Sequence, residues 1–156
     1  MITPTQTLKN DEWNAFIEAD HAATTALSSR QRNKLANERR YTHFVYRYRS
    51  NKFPEGKQLL YVGFTSDFGS RDAIHWVNSW WRGLVTSYDM DVYPRSTRAE
   101  VRAAEARTIR DEVPLFNIHK NPRHAEVHGP YWTGASVEQR VNAAIADYWR
   151  SNGLSA

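Results

Sequence analysis

Cysteine is absent from the 156 residues, which excludes disulfides and thiolate metal sites and suits a reducing cytosol. No apolar run approaches the roughly 18 residues a membrane helix needs, and no signal-peptide core is visible. The expectation is therefore a soluble cytoplasmic protein with no membrane partner. Internal repeats and low-complexity tracts are also missing. Acidic residues are in the minority, 17 against 21 Lys and Arg. The resulting net charge of +4 and pI near 9.5 modestly favour a polyanionic partner. What the chain does have is aromatic weight. Six Trp, eight Tyr and six Phe supply large side chains for one sizeable core, many with a polar tip.

Taken in order, residues 1–40 read as an N-terminal helical and basic extension, 41–120 as the core, and 121–156 as a loop followed by an amphipathic helix. Met1–Asn10 is polar and reads as loose. A helix is expected from Asp11, carried by Trp13, Phe16, Ile17 and Ala23. Arg30, Arg32, Lys34, Arg39 and Arg40 make the next stretch basic. Two readings stand for it: a solvated helix or linker, or an arm lying along a phosphate backbone. A helix-turn-helix lacks its turn glycine.

Tyr41–Arg49 and Gln58–Phe64 are rich in aromatic and β-branched residues and read as paired strands. The loop Ser50–Lys57 between them contains Pro54 and Gly56. Thr65-Ser66-Asp67 then suits the capped start of a helix whose core face is expected to be Ile74, Val77 and Trp81, with Gly83 as its stop. Trp76, Trp80 and Trp81 read as core residues ahead of a base-stacking role. Leu84–Tyr93 reads as a third strand closed by Pro94. Thr97 and Glu100 form a capping-box signature for a helix reaching Glu112. Ala99, Ala103, Ala106, Ile109 and Val113 form its expected apolar stripe, with Glu105 about 100° from the centre. His119, His124 and His128 read as surface residues, because their spacing fits no metal site. Val137, Val141, Ala144, Ile145 and Tyr148 define the last helix.

Within this frame Phe44-Val45-Tyr46, Tyr61-Val62-Gly63, Thr65-…-Arg71-…-His75 and Glu105-…-Pro114-Leu115-Phe116-Asn117 follow one another in order. The pattern resembles the GIY-YIG nuclease superfamily over about Tyr41–Lys120. The stretch from His75 to Trp81 is similar to small stand-alone bacterial or mobile-element members. Phe44 stands where the family has Gly, and the Lys52–Lys57 loop lengthens the separation of the tripeptides. The resemblance implies an α+β fold, a small three-stranded antiparallel sheet flanked by helices, with extra helices at both ends.

It also implies a metal-dependent DNA endonuclease using one Mg²⁺ (or Mn²⁺) ion per site, held by Glu105. The site residues it implies are Tyr46, Tyr61, Arg71, His75, Glu105 and Asn117. Residue chemistry is consistent with those roles. Arg71 can grip a phosphate with two hydrogen bonds in fixed geometry. Glu105 is a hard oxygen ligand of the kind Mg²⁺ takes beside phosphate and water. Tyr46 can act as general base only if its phenol, with a pKa of about 10, is helped by His75, Arg71 or the cation. Arg30, Arg32, Lys34, Arg39, Arg40, Arg47, Lys52 and Lys57 are the candidate phosphate contacts. A non-cleaving nucleic-acid-binding or regulatory protein on the same fold is the alternative. RNA and DNA substrates both stand, as do monomer and homodimer.

Overall fold

The run Tyr41–Arg49 is apolar on both faces: Phe44, Tyr46 and Tyr48 alternate with Tyr41, His43 and Val45, and all six are buried. A strand of that kind has to be covered above and below and paired on both edges. The computed structural model, which describes residues 2–10, 12, 15–16, 28–37, 41–118, 121–129 and 137–151, places it at the interior of a sheet. Four antiparallel strands are found among the described residues: β1 (Gln6–Lys9), β2 (Tyr41–Arg49), β3 (Leu59–Thr65) and β4 (Ser87–Ser96), in the order β1-β4-β2-β3. The helices are α1 (Ser29–Asn37), α2 (Phe68–Asn78), α3 (Arg98–Glu112), α4 (His124–His128) and α5 (Val137–Ser151), with a 3₁₀ segment over Trp80–Leu84. The fold is α+β, with a sheet of four strands rather than three. No helix among the described residues is long and apolar enough to cross a membrane.

The additional strand corrects the reading of Met1–Asn10 as loose. Only Leu8 points into the core, so the segment carries almost no apolar signal. Backbone pairing with β4 holds it, from Gln6↔Val92 to Lys9↔Asp89, and Asn10 accepts the Tyr88 N–H at 2.7 Å. Beyond it, Asn10, Glu12, Ala15 and Phe16 are helical, and Phe16 packs edge-on against Phe44. Trp13, Ile17, Ala23, Arg39, Arg40 and His119, and the side chain of Arg32, lie outside what the structure describes. β4 continues through Pro94 to Ser96, because a bulge opposite Tyr41–His43 and a left-handed Arg95 (φ 49°) absorb the missing N–H.

The two sheet faces have separate cores. Phe44, Tyr46, Tyr48 and Met90 face Phe68 and Trp81, while Val45, Val62 and Tyr93 face Val101 and Ala104 of α3. The capping box at Thr97 and Glu100 forms as expected. The α3 stripe is rotated from the expected one: Val101 and Ala104 are buried, whereas Ala99, Ala103 and Ala106 are exposed. The small alanines are too weak an apolar signal to fix the face. On α2 the correction is larger. Ile74, Val77 and Trp76 face outward, Phe68 and His75 face inward, and the helix ends at Ser79 rather than Gly83.

His124 and His128 are also corrected: both are buried, not on the surface. Their Nε2 atoms bond the carbonyls of Leu115 and Val113, each at 2.7 Å. Both bonds pin the segment that follows α3 against the outer edge of β3. There Leu115 and Phe116 donate backbone N–H groups to Leu59 and Leu60, and Asn117 brackets Val62 by accepting its N–H at 2.7 Å and donating to its carbonyl at 2.9 Å. Asn117→Ala leaves both Val62 groups without these partners and should lower the unfolding free energy by about 2 kcal/mol. A urea denaturation curve indistinguishable from the parent's would contradict this role.

Candidate active site

Strand register builds the first half of the site. Tyr46 lies directly opposite Gly63, and Tyr48 opposite Tyr61, on the face covered by α2. The Tyr46 ring lies flat across Gly63. A Cβ at that position would come within 2.3 Å of the phenol oxygen, so any larger residue displaces the tyrosine. Phe68, Tyr48 and His75 close around the ring at centroid distances of 5.2, 5.3 and 5.9 Å.

The second half comes from the start of α2. Thr65 Oγ1 and the Asp67 backbone bond each other in both directions, and Asp67 caps the helix through Ser70. That fixes the helix phase so that Arg71 and His75, one turn apart, face the sheet tyrosines. His75 Nε2 lies 2.8 Å from the Tyr46 hydroxyl, and Nδ1 lies 2.9 Å from Ser79 Oγ. With the phenol donating to Nε2, Nδ1–H donates to Ser79, and a continuous chain of Tyr46, His75 and Ser79 results. Burial, then the nearby Arg71 charge, lowers the His75 pKa from 6.5 to about 4, so the ring is neutral at pH 7 and able to accept a proton. Asp72, on the same inward face, accepts from Tyr48 and from Arg82, whose guanidinium also stacks on Trp76 at 4.3 Å.

Burial pushes the Tyr46 phenol far above its ordinary pKa of 10, with Tyr61 adding to the rise and Arg71 opposing it. Tyr61 moves the same way, again chiefly through burial. Arg71 holds its proton more tightly than usual through its bond to Tyr46, and it also touches Tyr61. Its guanidinium therefore sits over the two phenols while lining an open cavity. Tyr46 itself has no exposed surface.

Glu105 arrives from α3. It is one turn beyond buried Val101, hence beside the packing face, and it is half-buried. Burial raises its pKa above 4.5, opposed first by a hydrogen bond from the Phe64 backbone N–H and then by Arg71 and Arg102. That bond takes the next free donor of the β3 edge after Val62. Two cavities meet at Glu105. One, of about 260 Å³, is lined by His43, Thr65, Arg71 and Arg98, and the other, of about 360 Å³, by Tyr61, Arg102, Phe116 and Asn117.

The structure thus brings Tyr46, Tyr61, Arg71, His75 and Glu105 together, with Asn117 bracing the strand they share. The basic candidates divide differently. Arg30 and Lys34 are exposed on α1. Arg47, on the opposite sheet face, is bound to Glu112 at 2.7 Å and Asp91 at 3.0 Å, so it serves the fold and does not reach the site. Lys57 donates to His128 Nδ1 at 2.8 Å. Together with Lys52 it lies near the Leu59 end of β3, roughly 16 Å along the strand from Phe64. Residues the sequence reading passed over are His43, Ser79, Arg98 and Arg102. The spacing of Arg98, Arg102 and Glu105 on a capped helix was a signal for the last two.

Among the described residues no cluster of three or more His, Asp or Glu side chains is arranged to hold a metal ion. The donor set at Glu105 is one carboxylate oxygen next to open space. It fits a magnesium ion that keeps water and substrate phosphate as its other ligands, and does not fit an all-protein cage. No protein-family model, curated protein or solved structure matches the chain.

Burial likewise lowers the His43 pKa from 6.5 to about 4. Both rings remain neutral in the fold, while the unfolded chain takes up protons below 6.5. Stability should therefore be full above about pH 6.5 and fall as the pH drops toward 4. The combined loss is on the order of several kcal/mol, since a tenfold change in proton affinity corresponds to about 1.4 kcal/mol. Urea denaturation across that window should show His75→Gln flattening part of the slope, with His43 and His128, also lowered by burial, carrying the rest. Equal stability at both ends would rule the effect out.

Proposed function

We propose that this chain is a metal-dependent DNA endonuclease with a GIY-YIG-type core, in which β2, β3 and β4 are the family's three strands and β1 is an added edge. Support comes from one observation: five residues remote in sequence converge at one end of β3, with the Tyr46 hydroxyl 2.8 Å from a neutral imidazole. A divalent cation held by Glu105 would supply positive charge at the phosphate and to the departing oxygen.

The protein's own groups carry the proton. Arg71 covers Tyr46 in the resting site and is the group that grips a phosphate bidentately. As it turns to the substrate, the phenol oxygen is uncovered. Water attacks phosphorus in line with the 3′-oxygen, its proton passes to the Tyr46 oxygen, and the phenolic proton passes to His75 Nε2. The P–O3′ bond breaks, and the 3′-oxygen takes a proton from solvent. Concerted transfer avoids a free phenolate, which this buried position disfavours. Ser79 holds Nδ1–H and keeps the accepting lone pair aimed at Tyr46. One site makes one nick, so a double-strand break requires two subunits or two encounters.

The experiment is supercoiled plasmid incubated with the protein in Mg²⁺ or in chelator, beside Glu105→Ala and Tyr46→Phe. Nicking should require the metal and fall at least about 100-fold in each variant, the usual contribution of a positioned acid–base group. Salt-sensitive DNA binding without product, on plasmid, branched or single-stranded substrates, would instead identify a binding protein. Cleavage confined to RNA would shift the substrate and leave the site. Variants as active as the parent would overturn the residue assignment.

A further inference from the structure

Besides Arg71, each of the two cavities that meet at Glu105 has one further guanidinium on its wall, and Glu105 is the single carboxylate they share. Arg98 lines the first, lying 5.9 Å above the Phe64 ring, and Arg102 lines the second. Both side chains are exposed, and neither makes an ion pair among the described residues. Three other arginines are committed: Arg47 to Asp91 and Glu112, Arg49 to Asp89, Arg82 to Asp72. On a helix, Arg98, Arg102 and Glu105 fall within about 60° of arc, so all three overlook the same groove. The rest of the groove includes Thr65 and Ser66 at one end and Tyr61, Phe116 and Asn117 at the other, with Ala106, Ile109 and Ile118 as its aliphatic part. Cations spaced along a channel with aromatic groups in its walls suit a single polynucleotide strand, whose charges recur along its length.

We infer that one DNA strand crosses α3 at Glu105, and that Arg98 and Arg102 bind the phosphates on opposite sides of the one Arg71 holds. This rests on the nuclease reading and specifies how the substrate lies in that site. Arg98 and Arg102 are positioning residues; they hold the strand and take no part in proton transfer.

Fluorescence anisotropy of a fluorescein-labelled DNA duplex in chelator reads binding without cleavage. Arg98→Ala and Arg102→Ala should each weaken binding several-fold at low salt and reduce the slope of log affinity against log salt by about 1. Arg110→Ala, on the same helix but paired with Asp111 at 3.3 Å and outside both cavities, should change neither. A second arm replaces single phosphates beside a mapped cut with neutral methylphosphonates. The parent should lose rate at both flanking positions. Arg98→Ala should become insensitive on one side and Arg102→Ala on the other. Unchanged slopes in both variants, or insensitivity on the same side in both, overturns the path even if the parent nicks plasmid. A parent that binds but makes no metal-dependent product overturns the nuclease reading alone, and the anisotropy result then decides the groove. A parent with no salt-dependent binding overturns both.

Discussion

The outer edge of β3 is the constraint on which the site depends. An edge strand presents unpaired backbone donors and acceptors that must be covered or satisfied. Among the described residues no further strand pairs with it. The segment after α3 takes Leu59 and Leu60, Asn117 brackets Val62, and Glu105 takes the Phe64 N–H. Closing a sheet edge with side chains in this way leaves a groove where another strand would lie, and puts a half-buried carboxylate in it. The two buried histidines of α4 belong to the same arrangement, because their bonds to Val113 and Leu115 hold the covering segment in place. Val113, β-branched and left-handed at φ 48°, is the strained corner that lets α3 stop and the chain turn back along the strand.

A second constraint follows from putting tyrosines on the inner sheet face. The Tyr46 and Tyr48 hydroxyls are buried and require partners. Asp72, itself held by Arg82, accepts from Tyr48, while His75 and Arg71 serve Tyr46. The helix that covers them therefore needs a polar inward face, and its apolar residues are displaced to the outside. This inversion makes Ile74 and Val77 exposed and His75 buried. It also explains why the fold can hold a neutral imidazole against a phenol at 2.8 Å: the helix phase that satisfies one hydroxyl aligns the other.

That inversion separates what the sequence discloses from what it hides. The central strand, its neighbour β3, the Asp67 and Thr97 caps and the end of α3 before Pro114 are local signals, set by side-chain shape, turn chemistry and capping, and they are readable directly. Residues joined by register and helix phase, Tyr46 with Gly63 or Arg71 with His75, are readable once those elements are placed. The failures have separate causes. Apolar periodicity, which normally marks the buried face, points Ile74, Val77 and Ala103 inward. On α2 that rule is overridden by buried hydroxyls contributed from 20 or more positions away, a long-range fact with no local trace. β1 is hidden for the opposite reason, since backbone pairing needs no side-chain pattern beyond Leu8.

Charge shows the same distinction between whole-chain and local properties. A net charge of +4 spread evenly would say little about a partner. The fold does not spread it evenly. Asp72, Asp89, Asp91 and Glu112 are gathered around Arg82, Arg49 and Arg47, on the inner network and on the sheet face opposite Tyr46. Pairing acids with those arginines leaves Arg71, Arg98 and Arg102 around a single carboxylate at the β3 edge. A phosphate entering there meets guanidinium groups on more than one side and one anion, Glu105, which a divalent cation would neutralise. Three guanidinium groups therefore meet at the proposed cleavage site, although the basic N-terminal stretch is the more conspicuous feature of the sequence.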